Sequence, residues 1–189
     1  MQRVLVIGSS GAGKTRFARQ LAAALALPCV ELDALFWGPQ WRPRPRDEFR
    51  ADVAQAAGGK AWVIDGNYGS ARALLWPRAD TVVWLDYGLA TVFWRVLRRT
   101  LRRAVTREPL WQDNRESLQR ALLSRDSILW WTLSTYRRRR SEFAQLRAQA
   151  IYPQLEWVVL RRPGEVEAIL GRARASTMRA PPQREEAPR

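Results

Sequence analysis

The chain has 189 residues, 47% apolar and 26% charged, a balance that fits one α/β domain with a full core. With no histidine and a single cysteine, Cys29, it excludes histidine acid–base chemistry and an internal disulfide, and it argues against a zinc site. No run of about 20 apolar residues is present, which excludes a membrane-crossing helix, and the formal charge of +14 calls for an anionic partner.

Val4 to Ile7 is a short, continuous apolar run of the kind that forms a buried parallel strand. It leads directly into "GSSGAGKT", residues 8–15, and then into a helical stretch with Phe17, Leu21 and Leu25 on one face. Residues 28–32 predict a second strand. Pro43 and Pro45 keep "RPRPR" extended, and Asp47 opens a helix that Gly58-Gly59 ends. A third strand falls on 61–65, followed by a Gly66-Asn67 turn and a short helix that stops at Pro77. A fourth strand falls on 81–86. A long amphipathic helix then runs over 89–105, with Phe93, Val96, Leu97 and Leu101 expected inside. Residues 106–116 read as irregular, 117–133 and 135–150 as two helices, 156–160 as the last strand, and 165–170 as a closing helix. The domain is expected to end near residue 171, with a disordered tail over 172–189. Alternating β and α elements imply a parallel sheet with helices on both faces, whose ligands bind at the carboxyl ends of the strands. Asp33, Asp65 and Asp86 stand at three such ends.

The spacing Gly8, four residues, Gly13, Lys14, Thr15 is the phosphate-binding loop pattern. Small residues there let backbone N–H groups of Gly8, Ser9, Ser10, Gly11, Ala12 and Gly13 turn toward a polyphosphate. Lys14, one of only two lysines beside 30 arginines, is placed to reach the terminal phosphates. The Thr15 hydroxyl is a Mg²⁺ ligand in this pattern, and Asp65, at the end of an apolar strand, is a second candidate. Lys14 also opens a helix whose positive end favours the anion. ATP with Mg²⁺ is therefore the expected cofactor. Trp37 and Trp41 follow Asp33 in a proline-bounded loop where they can stack a ring, and Arg42 beside them can pair an anion.

The positive charge is uneven. Residues 1–94 carry 11 basic and 8 acidic side chains, residues 95–147 carry 14 and 5, and residues 148–189 carry 7 and 5. Genome base composition can set the choice of arginine over lysine, but it explains the clustering less easily. Arg95, Arg98, Arg99, Arg102 and Arg103 fall at helical spacing and form one basic stripe. Five positives without an interleaved acid repel one another, so a polyphosphate partner is favourable. A second run, Arg137 to Arg140, follows.

The motifs "GSSGAGKT", "ELDALFWGPQW", "WVIDGNY", "ADTVVWLD", "RVLRRTLRR" and "YRRRR" resemble the nucleoside-monophosphate-kinase group of P-loop proteins. More closely, they resemble the small "DNA topology modulation" (FlaR-like), adenylate kinase-related proteins, over roughly residues 3–162. The resemblance implies a P-loop NTPase fold with a five-stranded parallel sheet and an Arg-rich helical lid inserted at about 100–140. It also implies Mg-ATP, lid arginines acting on the transferred phosphoryl group (Arg99 or Arg103, then Arg137 to Arg140 from the other side of the lid), and Arg161 near the adenine. Asp33 matches a substrate-facing aspartate of related small-molecule kinases, where it either takes the acceptor's proton or positions the acceptor. Asp33, Trp37, Trp41, Arg42 and Asn67 make the expected acceptor-binding set. The chain departs from true adenylate kinases after Asp65-Gly66, where Asn67-Tyr68 replaces the "DGFPR"-type arginine, and this points away from AMP. No Asn-Lys-x-Asp motif occurs, which argues against a guanine-specific GTPase.

Two functions remain open on the sequence. One is an ATP-dependent phosphotransferase acting on a small, anionic or nucleotide-like acceptor. The other is an ATP-dependent nucleic-acid-binding protein, in which arginines meet phosphates and tryptophans stack bases.

Overall fold

A computed structural model of the chain describes residues 1–106 and 128–179. Five strands form one fully parallel sheet: β1 (Arg3–Gly8), β2 (Cys29–Glu31), β3 (Trp62–Asp65), β4 (Thr81–Leu85) and β5 (Glu156–Leu160). Their order across the sheet is β2-β3-β1-β4-β5. The chain therefore moves outward from β1 on one side, then returns to place β4 on the other. In open α/β sheets such a reversal opens a crevice beyond the carboxyl ends of the strands where ligands bind, and here it falls beyond the end of β1. The register sets Val6 beside Asp65 on β3 and Gly8 beside Leu85 on β4.

Side chains alternate along a strand, so β1 serves two cores. Val4 and Val6 pack with Phe17, Ala18 and Leu21 of helix α1 (Lys14–Leu25) and with Ile169, Leu170 and Ala173 of the final helix. Leu5 and Ile7 face the opposite layer. That layer holds α3 (Arg46–Ala56) through Phe49 and Val53, and α4 (Gly69–Leu75) through Ala71 and Leu75. A short helix, α2 (Leu32–Phe36), follows β2 directly, so Asp33 lies in a helical first turn.

Helix α5 (Leu89–Thr106) and helix α6 (Ile128–Ala148) connect β4 to β5. The buried row of α5 is Val92, Val96 and Thr100. Of the residues expected inside, Val96 is buried, Phe93 and Leu97 are half-buried, and Leu101 is 43% exposed. The helix is turned by its seat against the phosphate loop, where Val96 meets Gly11. Helix α6 is one unbroken element where two helices were expected to meet near residue 134. Ser134, between the two expected helices, and Thr135 donate their hydroxyls back to the Trp131 carbonyl and stay inside the helix. Its inner face is fixed by Phe143 against Trp84 of β4 and by the Tyr136 hydroxyl, which donates to the Tyr87 carbonyl at 2.8 Å.

The final helix, α7 (Glu165–Arg179), extends well past the expected stop at Leu170. Residues 172–179 are therefore helical, which corrects the expectation of disorder there. Alanine, arginine and methionine favour helix, Ala173 is buried against the core, and the Thr177 hydroxyl donates to the Ala24 carbonyl of α1. The remainder of the expected tail, 180–189, and the irregular and helical stretches expected between 107 and 127 lie outside the described residues. Among the described residues, no helix is long and apolar enough to cross a membrane.

Candidate active site

The loop between β1 and α1 ties two of its six expected phosphate-facing amides inside the protein, Gly8 N–H to the Asn67 side chain and Ala12 N–H to the Ser9 carbonyl at 3.1 Å. Its glycines take backbone conformations that other residues rarely adopt, Gly11 at φ +81° and Gly13 at +91°. Gly11 also has no room for a side chain, because a Cβ there would lie 2.1 Å from Val96 Cγ2 and 3.0 Å from the Val92 carbonyl. Gly13 is the N-cap of α1, with no side-chain cap and no acid in the first turn. The positive end of the helix thus faces the loop without an internal anion to satisfy it.

Two side chains brace the loop from outside. Asn67, just beyond β3, accepts from the Gly8 N–H at 3.3 Å and donates to the Gly8 carbonyl. Arg95 of α5 donates to the Ala12 carbonyl at 2.9 Å and lies over the Tyr87 ring. Asn67 therefore sits at the root of the loop, where its side-chain amide engages both backbone groups of Gly8.

Lys14 donates to the Ser9 carbonyl at 3.3 Å. Burial of its ammonium group pulls its pKa below the ordinary lysine value. The Asp65 and Asp33 carboxylates oppose that shift, while Arg139 and Arg99 add to it. One lysine thus feels two carboxylates and two guanidinium groups, drawn from β3, α2, α6 and α5.

Asp65 is 4% exposed. Its Oδ2 accepts from the Thr15 hydroxyl at 2.5 Å, and its buried Oδ1 accepts no hydrogen bond. Burial pushes this carboxyl up to about 6, against the pull of Lys14 and the Thr15 hydroxyl. A carboxylate oxygen left without a donor beside a hydroxyl suits a hard cation with oxygen ligands. No group of three or more His, Cys, Asp or Glu side chains gathers among the described residues. Mg²⁺ is a cation of that kind: it takes one or two protein oxygens and completes its shell with phosphates and water.

Asp33 points to a second centre. Its Oδ1 accepts from the Tyr68 hydroxyl at 2.6 Å. The Tyr68 ring lies 4.5 Å from Phe36, which stands 4.9 Å from Trp37, which in turn stands 5.7 Å from Trp41. The two expected tryptophans are therefore linked to Asp33 through a run of rings. Trp37 and Pro43 pair across the loop, and Trp41 takes φ +59°, a left-handed backbone that large side chains adopt rarely. Arg42 is exposed in that loop, whereas Arg44 pairs with Asp52 and Glu48.

The basic stripe of α5 divides. Arg95, Arg99 and Arg103 are half-buried, and Arg98 and Arg102 face solvent. Of the two arginines singled out from sequence, Arg99 acts on Lys14, and Arg103 lies a turn further along. The run on α6 divides as well. Arg140 makes a two-point pair with Asp86, at 2.7 and 3.0 Å, while Arg137 and Arg138 are exposed. Arg139 alone turns to the site, where its Nη1 reaches the Asn67 carbonyl at 3.5 Å and its buried Nε has no partner. Burial lowers the pKa of this guanidinium, and Asp33 is among the charges that oppose the shift. Arg161 is exposed beyond β5, and its N–H donates to Glu165 Oε2 at 2.8 Å, closing the start of α7.

Two residues at the site went unassigned from sequence: Arg95 was visible only as one member of a stripe, and Tyr68 only as the absence of an arginine. Arg139 was expected only as one of four consecutive lid arginines.

With this geometry in place, comparison with solved structures defines the class. The chain is similar to shikimate kinase from Acinetobacter baumannii in complex with shikimate, with a TM-score of 0.56 and 14% identity, over 91% of this chain and 90% of that one. It is similar to shikimate kinase from Bacteroides thetaiotaomicron, with a TM-score of 0.51 and 18% identity, over 94% and 98%. It is also similar to a gluconokinase from Sinorhizobium meliloti 1021, with a TM-score of 0.50 and 19% identity, over 94% and 92%. At these identities the likeness is one of fold. The architecture is that of the P-loop kinases: a five-stranded parallel sheet with helices on both faces. No family model matches the chain, and no curated protein sequence does.

Proposed function

We propose that this protein is a Mg-ATP-dependent phosphotransferase whose acceptor is a hydroxyl group on a small molecule. One observation carries the reading: beside the phosphate loop the Thr15 hydroxyl donates to a buried Asp65 whose Oδ1 accepts no hydrogen bond, a carboxylate suited to a cation, while Asp33, bonded to Tyr68, is a second carboxylate suited to an acceptor. On this reading the loop amides and Lys14 hold the ATP phosphates. Mg²⁺ bound by Thr15 and Asp65 neutralises phosphate charge. Arg139, with Arg99, stabilises the charge that spreads over the phosphoryl group in transit. Asp33 faces the acceptor, with Trp37 and Trp41 forming the wall beyond it. A carboxylate at that position repels a phosphate acceptor and assists a hydroxyl, and the acceptors of the shikimate kinase and gluconokinase neighbours are consistent with the latter. The sequence likeness to the adenylate kinase-related "DNA topology modulation" proteins agrees with a phosphate loop of this type. Arg103 and the intervening segment belong to the expected lid, and the protein would work in the cytoplasm.

Lys14→Ala should lower phosphoryl transfer by about 10²–10³ while the protein stays folded, because Lys14 serves the phosphates and not the core. Transfer of the γ-phosphate from radiolabelled ATP measures this, with circular dichroism as the folding control. Near-wild-type transfer would remove the phosphate loop from catalysis.

A second reading has its own support. Trp94 is 64% exposed, Trp130 59% and Trp131 46%, and the exposed Arg98, Arg137 and Arg138 lie on the same two helices. Such a surface can stack bases and meet phosphates. Filter binding of single-stranded DNA or RNA across a salt series separates the two readings, since phosphate contacts weaken steeply with salt.

A further inference from the structure

The phenol of Tyr68 has no part in the phosphate chemistry above, yet it occupies one oxygen of Asp33. We infer that Tyr68 is a positioning residue that acts through Asp33: it holds the carboxylate so that its second oxygen serves an acceptor hydroxyl. This rests on the phosphotransferase reading.

The Tyr68 ring is held from two elements. Phe36 of α2 stands 4.5 Å away and Phe49 of α3 stands 5.2 Å away. The O–H···O distance of 2.6 Å lies in the range of a charge-assisted bond. The backbone under Asp33 is equally constrained. Gly66, at φ +143°, presses against α2 so closely that a Cβ there would lie 2.7 Å from Leu32 Cβ. Leu32 is 1% exposed, and Asp33 follows it. The carboxylate is thus fixed at its root by the Gly66–Leu32 contact and at one oxygen by the phenol. Oδ2 receives no hydrogen bond among the described residues. The charged groups around Asp33 are Lys14 from α1, Asp65 from β3 and Arg139 from α6.

A free carboxylate offers either oxygen in several orientations. The phenol removes one oxygen from competition and leaves a single acceptor atom, so less orientation must be imposed when substrate binds. In the transfer, Oδ2 takes the hydroxyl proton as the acceptor oxygen bonds to the γ-phosphorus. The bond from that phosphorus to the bridging oxygen breaks, its electron pair leaves with ADP, and the proton passes from Oδ2 to water. Tyr68 keeps its own proton throughout. Burial, followed by the Asp33 carboxylate, pushes the phenol pKa well above the ordinary tyrosine value. A phosphate acceptor has no such proton to surrender, so the Tyr68–Asp33 pair selects for hydroxyl acceptors.

The test is a double-mutant cycle on the full chain, with Mg-ATP as donor and gluconate, shikimate, adenosine and AMP as acceptors. Tyr68→Phe keeps the ring and removes the donor. With a hydroxyl acceptor it should lower kcat about tenfold and leave the KM for ATP within about twofold, the pattern of a lost transition-state interaction. Asp33→Asn should cost more. The double variant should be no worse than Asp33→Asn alone by more than about twofold, because the two residues act as one unit. Tyr68→Met, a second donor-free variant, is run in parallel, with melting temperatures for all, so that misfolding of one variant does not decide the result. Multiplying losses in the double variant, or a drop in melting temperature with kcat unchanged, would reduce Tyr68 to a packing residue. Transfer to AMP alone would overturn its role and the hydroxyl acceptor, while leaving Mg-ATP-dependent phosphoryl transfer itself intact. If the wild-type chain transfers phosphate to none of the four, both readings fall together.

Discussion

Asp65 is held between a structural and a chemical demand. Its Oδ2 accepts from Thr15, and its Oδ1 is buried with no donor. Burial raises its pKa to about 6, so at neutral pH the ligand-free protein carries a charge that its surroundings disfavour. The ordinary value is 3.8, and the sign follows: this group opposes folding increasingly as pH rises through about 6. Asp65→Asn keeps an acceptor for Thr15 and removes the charge. It should therefore raise the melting temperature of the ligand-free protein at pH 7 while it lowers phosphoryl transfer, with partial recovery at high Mg²⁺. Thermal unfolding without Mg²⁺, set beside a Mg²⁺ titration of activity, measures both. Lower stability together with an unchanged Mg²⁺ dependence would make Asp65 a turn residue. At this scale the sequence raised its sharpest expectations where one residue type is required, as at Lys14, Thr15 and Asp65. It said least about Tyr68 and Arg139, whose contacts come from neighbours distant in the chain.

At the scale of elements, each strand is positioned by contacts at its ends as well as by its ladder. Asp80, just before β4, ties the start of β1 in place: its Oδ2 accepts from the Arg3 and Gln2 amides at 2.7 and 2.9 Å, and its Oδ1 from the Thr81 hydroxyl at 2.6 Å. Partial burial pushes this carboxyl up, but the hydroxyl and the two amides outweigh it and hold it below its ordinary value. A depressed carboxylate stabilises the fold at neutral pH, and that contribution is lost as pH falls through the lowered value. Asp80→Asn should therefore be less stable than wild type at pH 7. The gap should close as pH falls below about 3.8, the ordinary value for the free side chain. Denaturant unfolding at several pH values reads this directly, and a gap independent of pH would show that the charge plays no part. Helix α5 carries the other lesson of this scale. Its amphipathic pattern was plain, but a pattern with arginine at five of nine positions does not say which of them turns inward. The contact of Val96 with Gly11 decides that.

Across the whole molecule, α6 is the element on which the site depends most. It delivers Arg139 to the site, locks Arg140 onto Asp86, and pairs Glu142 with Arg72 of α4. Its seat on the sheet is Phe143, 2% exposed and 5.9 Å from the Trp84 ring. Phe143→Ala should cost about 3–5 kcal/mol of stability, the usual loss for a buried phenylalanine with a cavity left behind. Urea unfolding measures it. A loss below about 1 kcal/mol would mean that α6 is not part of the core at this point.

The sequence by itself determined the parallel α/β class, the strands at the centre of the sheet, and the loop at residues 8–15. These rest on local signals: short apolar runs, glycine spacing, and helix starts and stops that a few neighbouring residues fix. The same local logic failed where the end of an element depends on distant packing. Helix α7 continues to Arg179 because Ala173 and Thr177 find α1, and α6 passes through Ser134 and Thr135 because their hydroxyls bond within the helix. Only the tertiary structure decided that Tyr68 donates to Asp33, that Asn67 braces the loop, and that Arg139 is the inward member of four identical neighbours. Those assignments join residues 35 to 125 positions apart, and the strand order that brings β1 between β3 and β4 is what closes such distances.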